Sequence, residues 1–322
     1  MNIKKHFTIS FLIIALILTS FCLVTRANKR IENKSENINF KILDENGTSS
    51  MFMKTIQSKI TFYLKITPDI KKPYPELFTI FMNGKQIECL WDNNTEYTSL
   101  YYTTINPNED RLIEITINNI PKGLNTLQFG TVYLPNKIDF QEEELFDEKY
   151  SLDLTPFTIV RNDNINNNYD INWSEESIFN NYNKPSFIDK NMPVGISGIL
   201  SFSNNDLTSD LISNVNEYKE IYYYWQNTDE KIRKVRYSLL IDWEQVPWPT
   251  GEMFIDVSVN PGDIFYKDLL LSEIVKNKNC QLSIVAFIDP DKSFWYFNNN
   301  ELKANHYGAL SYATLRNIIL SS

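Results

Sequence analysis

From Ile38 onward, apolar and polar residues alternate along the chain with a period of two. Ile38, Phe40 and Ile42 alternate with Asn39 and Lys41, and Ile60, Phe62, Leu64 and Ile66 alternate with Thr61, Tyr63 and Lys65. Ile113, Ile115 and Ile117 repeat the pattern, as do Leu127, Phe129, Thr131 and Tyr133. Later come Val194, Ile196, Leu200 and Phe202, then Val235, Tyr237, Leu239, Ile241 and Trp243, and Leu282, Ile284, Ala286 and Ile288; the tail with Leu315, Ile318, Ile319 and Leu320 reads as a closing strand. Such alternation predicts half-buried strands, each with one face on a core. Asn83-Gly84 divides two apolar runs and predicts a hairpin, because both residues tolerate the positive φ of a type I′ turn. Helical periodicity is scarce.

The alternation breaks twice. Lys4 and Lys5 precede an uncharged apolar run from Phe7 to Val24, and Arg26, Lys29 and Arg30 follow it. The run is near the lower limit of a membrane span and longer than an ordinary signal core. It reads as a signal peptide or signal-anchor helix over residues 1–27, with a polar juxtamembrane segment over 28–37. The expected location is the cell membrane, with a single N-terminal span and extracellular C-terminal domains; the alternative is secretion after cleavage near Ala27. Cys22 follows Phe21, which disfavours lipidation. The second break, Arg161 to Asn191, is rich in Asn and predicts a linker over 162–192. Asn162, Asn164 and Asn166 have the spacing of calcium ligands, but the loop lacks the Gly and the closing Glu that a calcium site requires.

Polar markers recur in the same order on both sides of this linker. Gln86 in Lys-Gln-Ile matches Gln245 in Glu-Gln-Val; Asn106-Pro107 matches Asn260-Pro261, Asn125 matches Asn279, and Pro135 matches Pro290. Apolar alternation recurs in any sheet, whereas ordered Gln, Asn-Pro, Asn and Pro markers do not. The expectation is all-β: two tandem immunoglobulin-like β-sandwich domains after the N-terminal hydrophobic helix. Domain 1 covers 38–161, and domain 2 covers 193–322 as an internal repeat of it. The stretch from Ile117 to Phe129 reads as a crossing between two sheets.

Composition narrows the chemistry. Of 322 residues, 43% are hydrophobic, enough for real cores. A net charge of −9 opposes nucleic acid as a partner, since phosphate binding needs a basic footprint. The chain has three Cys and two His, and only His306 lies beyond the N-terminal segment, in a loop-like stretch. No catalytic residue, metal ligand or cofactor site is therefore assigned, and an enzyme is not expected. Acid pairs remain: the Glu142 to Glu148 run reads as a solvated loop, and Asp289-Pro290-Asp291 as a turn. Cys89 and Cys280 fall at non-equivalent places of the repeat and are expected to be buried free thiols.

Aromatic clusters are the remaining candidates. Tyr222 to Trp225 and Phe294 to Phe297 should place half their rings outward. Tyr222, Tyr224, Trp248 and Trp295 are the candidate binding residues. The sequence thus predicts a non-catalytic exported surface protein, a binding or structural module contacting another protein. The alternative is a carbohydrate-binding module that uses exposed aromatics, with a glycosidase third. The other expected partner is the membrane, through the N-terminal helix. Abundant Asn, Ile and Lys with little Ala suit an AT-rich genome and a bacterial surface.

Overall fold

The computed structural model describes residues 37–133, 152–161, 199–201, 212–214, 220–227, 230–270, 280–290, 295–298, 301–304, 310–313 and 318–321. The expected anchor, the Asn-rich linker, the Glu142 to Glu148 run and His306 lie outside them. Every described element is a strand, and none is a helix long and apolar enough to cross a membrane.

A first unit contains β1 (Asn37–Leu43), β2 (Phe52–Thr55), β3 (Ile60–Asp69) and β4 (Tyr74–Met82). It continues with β5 (Lys85–Gln86), β6 (Cys89–Trp91), β7 (Tyr97–Thr98) and β8 (Leu100–Ile105), then β9 (Arg111–Ile117), β10 (Gly123–Tyr133) and β11 (Leu152–Arg161). A second unit contains β12 (Ile199–Ser201), β13 (Ile212–Asn214), β14 (Glu220–Gln226) and β15 (Arg233–Ile241). It continues with β16 (Glu244–Val246), β17 (Ile255–Val259), β18 (Ile264–Leu270) and β19 (Cys280–Ile288). Last come β20 (Trp295–Asn298), β21 (Glu301–Ala304), β22 (Leu310–Ala313) and β23 (Ile318–Ser321).

Each unit is a sandwich of two sheets. In the first, the sheet β1-β3-β9-β6-β7 faces the sheet β2-β11-β10-β4-β5, to which β8 adds along β4. Phe62, Leu64, Ile66, Ile113, Ile115 and Trp91 on one side meet Phe78, Ile80, Leu127, Phe129, Phe157 and Ile159 on the other, and all are buried. The chain crosses from one sheet to the other between β9 and β10, in the stretch where the sequence pattern places a crossing.

The second unit repeats this order. Its sheet β12-β14-β18 matches β1-β3-β9, and β13-β23-β19-β15-β16, with β17 added along β15, matches β2-β11-β10-β4-β5 with β8. The likeness extends to strand direction, since β2 pairs in parallel with β11 and β13 in parallel with β23. Among the described residues, the three-stranded sheet has no counterparts of β6 and β7. Its core joins Tyr223, Trp225, Phe265 and Leu269 to Val235, Tyr237, Leu239, Leu282 and Ile284, with Tyr237 stacked on Phe265 at 4.3 Å.

The Asn-Pro markers lie at equivalent turns, whereas Pro135 and Asn279 lie outside the described residues. Asn106 and Asn260 each reach an acid three residues on, Glu109 at 2.8 Å and Asp263 at 3.0 Å. Each is followed by Pro and then a positive φ, 57° at Asn108 and 73° at Gly262, the pattern of a type II turn. Asn83 and Asp242 open the two hairpins alike. Each accepts a backbone N–H with its side chain at 2.9 Å, from Thr126 and Gln281.

Trp243 differs from the sequence expectation. The alternation from Val235 places it in a strand, but β15 ends at Ile241, and Trp243 occupies the hairpin turn with φ at 71°. It stands where the first unit has Gly84, and a bulky residue is an outlier in that conformation. The ring is what holds it there, because it packs between the two units.

Candidate functional site

The candidate binding aromatics separate in the structure. Trp248, expected to face outward, is a core residue: it is buried beside Tyr237 and donates its indole N–H to the Tyr237 carbonyl at 3.1 Å. The short turn from Trp248 to Gly251 folds the chain back and drives the ring inward. It occupies a place like that of Trp91, whose indole N–H donates to Thr98 O at 3.0 Å in the first unit. Tyr224 is also fully buried, although strand parity puts it on the outer face of its sheet. Its ring lies against Tyr266 at 5.3 Å. Tyr222 is half-buried and stacks on Tyr266 at 5.9 Å. Trp295 belongs to a two-stranded ribbon, paired with Ala304. The structure therefore brings together Tyr222 and Tyr224 and leaves Trp248 and Trp295 elsewhere.

The densest polar arrangement lies between the units, on the seam where the sheets containing β4 and β15 meet. Leu77, Phe81, Val132 and Leu152 pack there against Leu240, Trp243, Val285 and Phe287, with the Phe81 and Phe287 rings 5.2 Å apart. At the rim of this apolar patch the two Gln markers clasp one another. The Gln86 backbone N–H donates to Gln245 Oε1 at 2.7 Å, and the Gln245 backbone N–H donates to Gln86 Oε1 at 2.7 Å.

The remaining donors continue the two-fold pattern. Gln86 Nε2 donates to Thr79 Oγ1 at 2.8 Å and Gln245 Nε2 to Ser238 Oγ at 3.1 Å. Gln86 Nε2 also reaches the Trp243 carbonyl at 2.9 Å, and Ser238 Oγ donates to the Gly84 carbonyl at 2.8 Å. Residue i of one unit meets residue j of the other and the reverse, which is the signature of an isologous contact. Here it closes within one chain.

One side of the seam departs from this symmetry. Arg236 is held in a fork by Asp256, Nε to Oδ1 at 2.8 Å and Nη2 to Oδ2 at 2.7 Å, and donates Nη1 to the Asn83 carbonyl at 2.7 Å. Its guanidinium also covers the Phe254 ring at 3.8 Å. In the first unit the matching places hold Leu77 and Tyr102. Tyr102 is 49% exposed; its phenol is raised by partial burial and then by the charges of Asp242 and Glu244, across the seam.

Three other features have chemical potential. Asp289 lies in a turn after β19, as the sequence predicts, and is buried there in an ion pair with Arg233 at 2.5 Å while accepting the Lys234 N–H at 3.0 Å. Glu76 is buried with no hydrogen-bond partner on either carboxyl oxygen. Burial, and then the Asp153 charge, push its carboxyl up to about 9. An open cavity of about 750 Å³ adjoins β2 and β3, lined by Asp44, Glu45, Lys54, Ile56, Lys59 and others of mixed character. Among the described residues no group of three or more His, Cys, Asp or Glu is placed to hold a metal ion. Cys89 and Cys280 are buried free thiols, one in each core.

The Gln pair is legible in the sequence only as a repeat marker; its role across the seam is not. A signal for the seam does exist in Ile80 to Met82 and Leu239 to Ile241, where residues of both parities are apolar. Such runs mean burial on both faces of a strand.

No family model and no curated protein matches the chain. Solved structures with some likeness include the CARDB domain of a Pyrococcus furiosus protein in complex with di-metal ions, 8% identical, covering 39% of this chain and 96% of that one at a TM-score of 0.25. A C. elegans member of the MSP family is 7% identical and covers 39% of this chain and 97% of its own, at 0.22. The CupB2 chaperone of Pseudomonas aeruginosa is 10% identical and covers 83% and 97%, at 0.21. Likenesses at such scores carry no inference about function.

Proposed function

We propose that the protein is a non-catalytic exported module of the cell surface, built from two immunoglobulin-like β-sandwiches that arose by duplication, and that it presents a fixed surface to another protein. One observation carries this reading: the reciprocal Gln86–Gln245 clasp, set at the rim of a buried apolar patch, joins the two units into one body. Two freely jointed modules would not need a buried and mutually satisfied polar seam, because buried amides left without partners are costly. A rigid pair of sandwiches suits a scaffold or docking protein. The hydrophobic N-terminal segment would deliver it to the membrane, with both units outside.

The carbohydrate reading retains one support, the stacked and half-buried Tyr222–Tyr266 pair on an outer sheet face. It loses Trp248 and Tyr224, whose rings are buried. Photocrosslinking of the full-length protein in cells that express it, from probes at Tyr102 and at the exposed Leu112, tests the choice. A discrete protein adduct, together with protease access from outside intact cells, is the expected result. Glycan-array binding that disappears on Trp295→Ala, without any protein adduct, would overturn the proposal.

A further inference from the structure

Asn-Gly occurs twice in the chain, at Asn46-Gly47 and at Asn83-Gly84. The pair is chemically special, because glycine sets no side chain in front of its own backbone nitrogen and its conformational freedom lets that nitrogen approach the asparagine side chain. Both pairs sit in turns with a positive φ at glycine, 77° at Gly47 and 79° at Gly84. Their surroundings differ.

Asn83 and Gly84 are pinned at the seam. The Asn83 amide is held at both ends, with Nδ2 donating to Asn125 Oδ1 at 3.1 Å and Oδ1 accepting the Thr126 N–H at 2.9 Å. From the second unit, Arg236 donates to the Asn83 carbonyl at 2.7 Å and Ser238 to the Gly84 carbonyl at 2.8 Å. Asn46 has no such restraints. It is exposed in the turn from Asp44 to Thr48 between β1 and β2, and its side-chain amide makes no hydrogen bond among the described residues. Apart from its chain neighbours, nothing lies within 4 Å of where a Cβ on Gly47 would stand. Asp44 holds only the backbone of this turn: its carbonyl accepts the Gly47 N–H at 2.9 Å, and its Oδ1 accepts the N–H of Asn46 at 3.0 Å and of Thr48 at 2.9 Å. Bonds in an exposed turn open readily, whereas freeing Asn83 means parting the two units.

We propose that Asn46 is a site of spontaneous conversion to aspartate and isoaspartate, and that the seam protects Asn83 from the same reaction. The Gly47 nitrogen attacks Asn46 Cγ and bonds to it, and the side-chain nitrogen leaves as ammonia, taking the proton of the Gly47 N–H. Water then opens the succinimide ring. Attack at the side-chain carbonyl breaks the new bond and gives aspartate; attack at the main-chain carbonyl breaks the original peptide bond and gives isoaspartate, with the chain running through Cγ. Either product adds a carboxylate beside Asp44 and Glu45, on the wall of the cavity that Lys54 and Lys59 also line. Isoaspartate also lengthens the backbone, so the bonds to Asp44 cannot all persist.

The full-length protein, kept folded in mildly alkaline buffer, is digested in acid and mapped by mass spectrometry, with isoaspartate counted by enzymatic methylation. Conversion at Asn46 should run at least about ten-fold faster than at Asn83, the ratio that a barrier difference of about 1.4 kcal/mol gives. In denaturant the two rates should converge. Gln86→Ala, which loosens the seam, should raise the Asn83 rate and leave the Asn46 rate unchanged; if that variant does not fold, urea below the unfolding midpoint makes the same comparison. Amide exchange in the aged protein should quicken across the turn from Asp44 to Thr48 and stay unchanged at the seam. An Asn46 that survives as long as Asn83 in the folded protein overturns the proposal. So does an Asn83 rate that is the same in the folded and the denatured chain, since the seam would then protect nothing.

Discussion

Replacing Gln86 with Ala removes three bonds at the seam while changing no backbone geometry. The Gln245 N–H loses its acceptor at 2.7 Å, and Thr79 Oγ1 and the Trp243 carbonyl lose a donor at 2.8 and 2.9 Å. Each bond is worth about 1 kcal/mol net, and leaving the Gln245 amide and the Trp243 carbonyl unpaired in a buried place adds to that. The expected loss is about 3–5 kcal/mol, a large part of the stability of an ordinary domain. Urea unfolding followed by tryptophan fluorescence measures it, because Trp243 lies in the seam. Gln245→Ala removes the counterpart bonds to the Gln86 N–H, Ser238 Oγ and the Met253 carbonyl, and its cost should agree within about 1 kcal/mol. The exposed Gln57 is the control, and its replacement by Ala should stay within about 0.5 kcal/mol. A loss below about 1 kcal/mol for Gln86→Ala, or a large inequality between the two Gln variants, would refute the view that a reciprocal clasp holds the units together.

Other expectations follow from the same packing. Gly84→Ala puts a Cβ 2.5 Å from Arg236 Cδ at a φ of +79°; since the guanidinium is anchored by Asp256 and Asn83, a loss of about 1–3 kcal/mol by thermal unfolding is expected. Burial raises the Glu76 carboxyl from its ordinary 4.5 to about 9 in the folded chain, so the native state holds a proton that the unfolded state releases between those limits. Stability should thus be fully retained at low pH and decline as pH rises from 4.5 towards 9, by no more than about 1.4 kcal/mol per pH unit. Glu76→Gln should flatten that slope in a series of urea melts, and an unchanged slope would assign the pH dependence to other groups. Cys89 and Cys280 should resist thiol reagents in the native protein and react after denaturation, with no change in melting temperature on adding a reductant.

The strands were legible wherever one face meets a core and the other faces outward. β3 and β9 fall where alternation predicts them, β15 and β19 do so although both their faces are buried, and the Asn83-Gly84 hairpin forms with φ of 52° and 79°. Asn106-Pro107 and Asn260-Pro261 were readable because a turn of this shape needs those residue types. The misplaced residues share one physical reason, which is contact with something that single-strand periodicity does not contain. Trp243 continues the parity of β15 in sequence, but the facing sheet supplies the apolar surroundings that hold it in a turn. Trp248 reads as an exposed ring after a short strand, yet a tight turn returns it to the core. Arg236 and Asp256 stand among apolar neighbours in strands whose partners lie far along the chain.

The covalent join between the two clasped units has a consequence at low copy number. A symmetric dimer held by a contact of this size would come apart on dilution, and its occupancy would follow expression level. Within one chain the partner is always present at an effective concentration that a tether of ordinary length sets near millimolar. The seam therefore closes to the same extent however few molecules are made. Its two halves are also freed from the requirement to be identical, so Arg236 and Asp256 could come to stand on one side where Leu77 and Tyr102 stand on the other.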